Sequence, residues 1–418
     1  MEDQEPIELD GRTGEGGGQL VRIACALAAV ATQPIRITHV RGNREGPRGG
    51  GLKSQHVTAI EYLAKATAAD VTGLSVGSHT LEFRPRLKPS ALVEDRTIKI
   101  SADSPAASTM LIFQAVFPFL LFAGTDKGDP ITLELSGGTN VSFSLSYEYL
   151  DQVLLPTLQD AFGIAVERKL HSRGWSLGKP QRGKATFKFT PLKPGETLKL
   201  KEEGIVYGGG APGPDVEIEE VDVSLIVPAE MQDSMTETLV AGMEELFPGV
   251  EVNFKIIEDS GADSRIYILL VAKAGGLRWG RDILASAPKK MKGKSGSRQM
   301  ISLCEDISRR VSKKLLDEVS TGGVVDEFLQ DQLVIFQALS EGRTSFPRSN
   351  GGLEQAMDKL KISEEMHKDR TNGPFGEGST HTTTARWVTA QLLPNVRWYN
   401  KGEVCEGVGM SMGVGKTR

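Results

Sequence analysis

The chain has 418 residues, 25% of them charged, and a formal net charge of −5 at pH 7, so it is long enough for two or three globular domains. The acidic balance excludes attraction of nucleic acid by the protein as a whole, and an RNA or DNA site would need a local basic patch, for which residues 41–53 and 289–298 are candidates. Three widely spaced cysteines without a C-x-x-C pair argue against a zinc cluster or a disulfide framework and fit a reducing compartment.

The first part of the chain predicts helices and strands in a definite order. Residues 19–32 predict a helix entered through a glycine-rich turn, and residues 35–40 alternate as a strand. A second helix is predicted over residues 52–69, and residues 71–85 predict two short strands around a Gly-Ser-His turn. This order forms one candidate repeat.

The same order recurs in the next hundred residues. The helix predicted over residues 101–124 is apolar but short and contains Pro118, which indicates a buried helix rather than a membrane span. Because no longer apolar run exists and the N-terminus lacks the apolar core of a signal peptide, we expect a soluble intracellular protein without a membrane partner. The rest of this second copy is predicted as a strand, a helix and two strands over residues 131–140, 147–163, 164–171 and 184–192.

A third, looser copy follows near the C-terminus, with helices over residues 325–339 and 381–393 and two short strands after them. The long polar segment between these helices, from residue 343 to 380, predicts a surface loop. Two helices and about four strands, repeated three times, predict an α/β (α+β) domain in which each sheet is backed by a helix pair. Residues 198–320 break the pattern and predict a smaller α/β insertion domain, so the large domain comprises residues 1–197 and 321–418.

One glycine-rich turn carries the first chemical signal. In "DGRTGEGGGQLVR" successive glycines precede a helix, where backbone N–H groups can converge on an anion with the help of the helix dipole. Glu15 within the turn fits this interpretation if a divalent cation bridges it to phosphates, and Arg22 lies one helical turn later. An ordinary glycine-rich turn with a capping acid explains the same residues, so this segment alone leaves both interpretations open.

Two further segments add polar groups. Arg41 and Arg44 follow a predicted strand and suit bidentate phosphate recognition, and the next helix begins with Gln55 and His56. His381 opens a helix directly after a glycine-rich loop, where an imidazole is available as a nucleophile, a general base or a ligand, although a lone histidine is more often structural. The six histidines show no H-x-x-x-H spacing, which argues against a histidine-based metal site.

Together these motifs resemble one family, the RNA 3'-terminal phosphate cyclases. The matching segments follow the family's order over nearly the whole chain: "DGRTGEGGGQLVR", "VRGNR" followed by "GLKSQHV", "STMLIFQAVFP", "LELSGGTN", "GGVVDEFLQDQLVIFQAL", "HTTTA" and "CEGVGM". The resemblance implies a large domain of three repeated α/β units with a thioredoxin-like insertion. It also implies an enzyme in which ATP adenylates a histidine, AMP passes to an RNA 3'-terminal phosphate, and the neighbouring 2'-hydroxyl displaces AMP to give a 2',3'-cyclic phosphate.

The resemblance assigns roles to residues of this chain. His381 falls on the adenylated histidine, and Glu15 falls on the acid that contacts phosphates and Mg²⁺ or Mn²⁺. The other ATP-contacting positions fall on Arg22, Arg41, Arg44, Gln55, His56, Gln114, Phe328, Asp331 and Gln332. The implied partners are ATP and RNA with a 3'-terminal phosphate, and the family-level expectation for localisation is the nucleus.

The chain departs from the family pattern at three places. The glycine triplet of the signature after the second repeat is missing from "RGWSLGKPQRGKATF". Ser144, Leu145 and Glu148 replace the usual Ala-Pro and a following Asp, which alters part of the expected nucleotide pocket, and Phe328 stands where Tyr is common.

The departures keep two alternatives open. The first is a relative in ribosomal-RNA processing, but that branch lacks the catalytic histidine and the nucleotide-binding residues, which are present here. The second is a catalytically weak protein that binds RNA ends. A P-loop is excluded because "GVGKTR" has Met410 where the first glycine is required, and the absence of K-x-D-G disfavours a lysine-dependent nucleotidyl ligase.

Overall fold

The structure is a computed structural model that describes residues 4–44, 46, 49–201, 217–261, 265–286, 293–349 and 366–413. Part of the predicted surface loop (350–365), part of the basic run (289–292) and the end of the "GVGKTR" sequence (414–418) lie outside these residues. Within the described residues, no helix is long and apolar enough to cross a membrane.

The first unit has a four-stranded sheet and two helices. Its sheet has the order β1-β2-β4-β3, in which only β1 and β2 are parallel. Helix α1 makes the crossover that a parallel pair requires. The elements are β1 (Ile7–Asp10), α1 (Gly18–Ala31), β2 (Ile35–Thr38), α2 (Ser54–Thr67), β3 (Asp70–Thr72) and β4 (Leu81–Arg84).

The second unit repeats this topology with the sheet order β5-β6-β8-β7. Strand β5 was not predicted, and the prediction that the helix begins at Ser101 is wrong, because the Asp-Ser-Pro-Ala-Ala sequence (103–107) forms a turn and Ser108 caps α3 by accepting from Leu111 N–H at 3.2 Å. Helix α4 joins an α-helical turn (Tyr147–Tyr149), a π-helical segment (Leu150–Leu154) and an α-helix (Leu155–Phe162). The other elements are β5 (Thr97–Ser101), α3 (Thr109–Leu121), β6 (Ile131–Gly137), β7 (Val166–Ser172) and β8 (Gly183–Phe189).

The insertion forms its own sheet, with the order β10-β9-β11-β12 and a parallel β9–β10 pair. This β-α-β-β-β-α arrangement agrees with the thioredoxin-like unit that the resemblance implies. Its elements are β9 (Glu220–Val227), α5 (Gln232–Leu246), β10 (Glu251–Asp259), β11 (Arg265–Ala274), β12 (Leu277–Ser286) and α6 (Gly293–Val319).

The third unit has a sheet in the order β13-β15-β14 within the described residues. Residues 343–345 were predicted as loop but belong to β13, because pairing with β15 stabilises a polar strand that its own sequence does not favour. Lys199 makes an isolated parallel bridge with Glu341, at the position that β1 and β5 occupy in the other units. The elements are α7 (Glu327–Leu339), β13 (Glu341–Ser345), α8 (Thr380–Leu392), β14 (Arg397–Tyr399) and β15 (Val404–Val408).

Helices of the three units pack together in the interior. Helix α1 contacts α2, α3 and α8, and α7 contacts α3 and α8. Helix α1 is buried along most of its length and is rich in alanine, which allows neighbouring helices to approach closely. This packing brings the N-terminal end of α8, from the third unit, next to the N-terminal end of α1, from the first.

Candidate active site

A cleft of about 810 Å³ opens where the N-terminal ends of α1 and α8 meet. Residues of α3, α7, the loop after β6 and strand β12 of the insertion form its other walls. The structure brings to this one cleft every residue to which the resemblance assigned a role: Glu15, Arg22, Arg41, Arg44, Gln55, His56, Gln114, Phe328, Asp331, Gln332 and His381.

His381 lies in the first turn of α8, which Ser379 caps by accepting from Thr382 N–H at 3.1 Å. The Nδ1 atom of its imidazole lies 2.7 Å from Oε1 of the buried Gln19. Because an amide oxygen only accepts hydrogen bonds, the contact fixes the proton on Nδ1 and leaves the Nε2 lone pair free. Burial, followed by the nearby Arg22 and Arg44, lowers the pKa of His381 and favours the neutral, nucleophilic form.

Arg22, Arg41 and Arg44 line the cleft near the start of α1, and we call this part its cationic end. The glycine-rich turn before α1 forms the floor of this end. A Cβ atom at Gly18 would lie 2.6 Å from His56 Nε2 and 2.9 Å from an Arg22 guanidinium nitrogen, so only glycine leaves this space open. His56 Nδ1 accepts from Lys53 N–H at 3.1 Å, which leaves Nε2 as the donor of a neutral ring. Burial, with Arg22 and Arg41 beside it, lowers the pKa of His56 well below the usual value.

Three buried polar atoms of residues at this end lack hydrogen-bond partners among the described residues: Nε2 of His56, Nε2 of Gln19 and Oε2 of Glu15. The Glu15 carboxylate is nearly buried and pairs with the half-exposed Arg44 through its other oxygen. Because a buried polar atom without a partner costs free energy, two donors and one acceptor are available here for a ligand.

A continuous hydrogen-bond chain connects α1, α3 and α7. Arg22 Nε donates to Gln114 Oε1 at 2.6 Å, Gln114 Nε2 donates to Gln332 Oε1 at 2.7 Å, and Gln332 Nε2 donates to Asp331. Burial lowers the pKa of Arg22 to about 10 and raises the pKa of Asp331 to about 7. The chain fixes the Arg22 guanidinium at the cleft, one helical turn after Gly18.

The opposite end of the cleft is apolar. Phe328 lies at the start of α7 and carries the Arg281 guanidinium over one ring face, 4.5 Å from the ring centroid. Tyr149 meets the Phe328 ring edge-on with 6.1 Å between the ring centroids. Other apolar residues that line the cleft are Ala106, Met110, Leu111, Val141, Phe143 and Leu145.

The insertion domain contributes to this end through β12. Arg281 pairs with Glu318 of α6 and with Glu327 of α7, at 3.3 Å from the latter. Its neighbour Asp282 lines the cleft, accepts from Tyr267 O–H at 3.3 Å, and has a pKa raised by burial to about 6. The insertion therefore forms part of the cleft wall.

The departures from the family pattern separate into two groups. Ser144, Leu145 and Phe328 line the cleft, as the resemblance implies. Glu148 does not, because its buried carboxylate pairs with Arg173 and accepts from Asn140 Nδ2 at 2.6 Å. The expectation that Glu148 alters the nucleotide pocket is therefore wrong, because Glu148 does not line the cleft.

The cleft residues that the sequence interpretation missed include Gln19, Phe143 and Asp282. The position of Gln19 directly after the glycine run was a usable signal, since a polar side chain opens a helix that is otherwise apolar. Phe143 directly precedes Ser144 and Leu145, which were already expected at the pocket, whereas Asp282 gave no such signal, because it comes to the cleft through long-range packing.

Comparison with known proteins points to one family. A family model described as RNA 3'-terminal phosphate cyclase matches residues 13–396. A protein named RNA 3'-terminal phosphate cyclase from Staphylothermus marinus is 31% identical over 423 residues, covering 97% of this chain and 99% of the relative. Proteins of the same name from Drosophila melanogaster and Thermococcus kodakarensis are 28% and 30% identical, covering 88% and 81% of this chain and 92% and 87% of the relatives.

Proposed function

The chain belongs to the RNA 3'-terminal phosphate cyclase family, and from this premise we propose that it converts an RNA 3'-terminal phosphate into a 2',3'-cyclic phosphate at the expense of ATP. The observation that carries the proposal is the contact of His381 Nδ1 with Gln19 Oε1, which leaves Nε2 available in a cleft that Arg22, Arg41 and Arg44 also line. A nucleophilic imidazole beside several guanidinium groups is suited to attack on a phosphoryl group.

In the first step His381 Nε2 attacks the α-phosphorus of ATP. The Nε2–phosphorus bond forms, the bond to the bridging oxygen breaks, and diphosphate leaves with the electron pair. The proton on Nδ1 remains in the hydrogen bond to Gln19, which disperses the positive charge that develops on the ring.

Two transfers complete the reaction. An oxygen of the RNA 3'-phosphate attacks the histidine-bound phosphorus, the imidazole leaves as the neutral ring, and RNA-3'-pp-5'-A results. The neighbouring 2'-hydroxyl then attacks the 3'-phosphorus, loses its proton to solvent, and displaces AMP. Because this nucleophile is already held next to its target, positioning accounts for much of the rate.

The cationic end of the cleft fits the phosphates. The Nε2–H of His56 and the Arg22 guanidinium group are donors beside the space above Gly18, where an anion would be stabilised. The unpartnered Oε2 of Glu15 fits a role as a ligand of Mg²⁺ or Mn²⁺. Such an ion, when bound, withdraws electron density from the phosphates. Because the described residues contain no group of three or more His, Cys, Asp or Glu side chains that could hold a metal, phosphate oxygens would provide further ligands.

The apolar end fits the adenine base of ATP. Phe328 offers a partly exposed aromatic ring, and Leu145 is a further apolar residue of the lining. Asp331 and Gln332 follow Phe328 on α7 and provide polar groups between the base and the phosphates.

An RNA oligonucleotide with a 3'-phosphate tests the proposal. With ATP and Mg²⁺ we expect a product whose end resists phosphatase and yields a phosphatase-sensitive end after mild acid. The matched control carries a 2'-deoxy terminal nucleotide, which should accumulate the RNA-pp-A species because the cyclising hydroxyl is missing. An oligonucleotide that binds but remains unchanged would contradict the proposal and favour a protein that only binds RNA ends.

A further inference from the structure

Two aromatic side chains stand out on the surface. Among the exposed large apolar residues of the described chain, only Phe143 and Phe328 are aromatic, with 104% and 37% of their surfaces exposed. Both line the cleft that contains His381. Because exposed aromatic rings are characteristic of binding surfaces, their location in one cleft indicates ligand contacts.

Phe143 has a backbone conformation that is unfavourable for its residue type. Its φ of +61° lies in the left-handed region, which a bulky side chain rarely adopts. A phenylalanine that gains neither burial nor relaxed backbone geometry contributes nothing evident to the stability of the fold. The conformation does, however, extend the ring fully into solvent at the cleft.

The loop that carries Phe143 is anchored on both sides. Ser142 N–H donates to Ser176 Oγ at 3.2 Å, and the Ser144 hydroxyl is hydrogen-bonded to the hydroxyl of Ser108. On the N-terminal side of Phe143, Asn140 N–H donates to Gly174 O at 2.9 Å. These bonds hold the backbone around Phe143, so the ring is presented from a fixed position, and less conformational freedom is lost when a ligand stacks on it.

The reaction proposed above has two substrates that carry a base, and the cleft has two exposed aromatic rings. Phe328 lies on α7, three residues before Asp331, and one of its faces is covered by Arg281. It therefore fits the base of ATP. Phe143 is exposed over its whole side chain and lies in the loop after β6, outside α7.

We propose that Phe143 stacks on the base of the 3'-terminal nucleotide of the RNA substrate. The inference rests on the proposed function, because that function requires an RNA end at His381. Stacking is tolerant of sequence, since every base has an aromatic face, so Phe143 would hold the end of any RNA without selecting a particular base.

The test uses a short RNA with 2-aminopurine as its 3'-terminal, 3'-phosphorylated nucleotide, without ATP. Binding to the wild-type protein should quench the fluorescence of this base through stacking, and Phe143→Ala should abolish the quench. We expect Phe143→Ala to bind this RNA about 10- to 100-fold more weakly, as removal of a stacking ring does. Val93→Ala is a matched control, because Val93 is also exposed but does not line the cleft.

An RNA whose terminal nucleotide is abasic separates stacking from other effects. It should bind wild type and Phe143→Ala equally, since the interaction removed by the substitution is already missing. Phe143→Leu should bind the 2-aminopurine RNA nearly as weakly as the alanine variant. Phe143→Trp should retain the quench.

Three results would overturn the inference: wild-type binding without a quench, equal affinity of wild type and Phe143→Ala for the base-containing RNA, or loss of histidine adenylylation in Phe143→Ala when ATP is the only substrate. The last result would assign the ring to ATP instead. Failure of the proposed function is distinguishable, because wild type would then form no adenylate even though RNA binding still quenches the probe.

Discussion

Gln19 provides the sharpest structural prediction, because its Oε1 atom is 2.7 Å from His381 Nδ1 and its side chain is buried. Gln19→Met keeps an unbranched side chain of similar length and removes the acceptor. Loss of one hydrogen bond is worth about 0.5–1.5 kcal/mol, and the imidazole is then also free to rotate and to place its proton on Nε2. We expect histidine adenylylation to slow by about 10- to 100-fold, comparable with other losses of a partner that orients a histidine.

Gln19→Glu tests the same contact through charge. In the wild type, burial, with Arg22 and Arg44 nearby, lowers the pKa of His381. The reactive neutral ring therefore persists at pH values below the usual pKa of histidine. A carboxylate at position 19 would raise that pKa by about 1–3 pH units. Because protonation removes the nucleophilic lone pair, activity in Gln19→Glu should be lost at a higher pH than in the wild type.

The assay is single-turnover formation of labelled histidine–AMP between pH 5 and pH 8.5. Gln19→Met should lower the plateau rate, and Gln19→Glu should move the acidic limb to higher pH. If Gln19→Met reacts at the wild-type rate, or if the acidic limb of Gln19→Glu stays in place, then Gln19 does not orient His381 and the reasoning is refuted.

Three further predictions concern Gly18 below the proposed phosphate position, the contact of Arg281 with the large domain, and the buried carboxyl group of Asp331. Gly18→Ala places a methyl group 2.6 Å from His56 Nε2, so ATP affinity measured by calorimetry should fall by at least about tenfold while the fold is retained; unchanged affinity would show that phosphates do not occupy this space. Arg281→Met leaves Glu318 with fewer partners and should lower the free energy of unfolding by about 2–4 kcal/mol in denaturant titrations, together with a higher KM for ATP; a neutral effect would mean that the insertion is not coupled to the cleft. The pKa of Asp331 is raised from 3.8 to about 7 in the folded protein, so the folded state binds the extra proton and this residue lowers stability as pH rises through that window. Melting temperatures of Asp331→Asn should therefore lack that part of the wild-type decline between about pH 4 and pH 7, and parallel curves would contradict the assignment.

The fold was predictable where the pattern was local and repeated. Helices α1, α2, α7 and α8 begin within two residues of the predicted positions, because glycine turns, capping residues and apolar periodicity mark them. The order of strands and helices in the first unit also indicated the repeat. Strands β5 and β13 were not found, because their stability comes from pairing with β6 and β15, which no local signal reports.

The candidate site was likewise predictable where its residues lie in local motifs and not where they depend on long-range packing. His381, Glu15 and the arginines lie in short motifs whose residue types point to phosphate chemistry, and the fold brings them together. Asp282 reaches the cleft from the insertion, more than a hundred residues away along the chain from Leu145 on the facing loop. Such a residue depends on how two domains pack, and sequence reasoning about one segment at a time could not place it.

The insertion domain is tied to the large domain close to the cleft. Gly280 N–H donates to Asp326 Oδ2 at 2.7 Å, and Tyr149 O–H donates to the other oxygen of the same carboxylate at 2.6 Å. Asp326 also caps α7 by accepting from Phe328 N–H and Leu329 N–H, each at 2.9 Å. One buried carboxylate thus links β12, α4 and the helix that carries Phe328, which explains why the insertion can hold the apolar end of the cleft in place.

The central claim is that His381 becomes covalently adenylated. The most direct measurement is incubation of wild type and His381→Ala with α-³²P-ATP and Mg²⁺, followed by denaturing electrophoresis. The account predicts label on the wild type only, lost in acid and stable in alkali, as a phosphorus–nitrogen bond to histidine requires. Label on neither protein, or equal label on both, would contradict it.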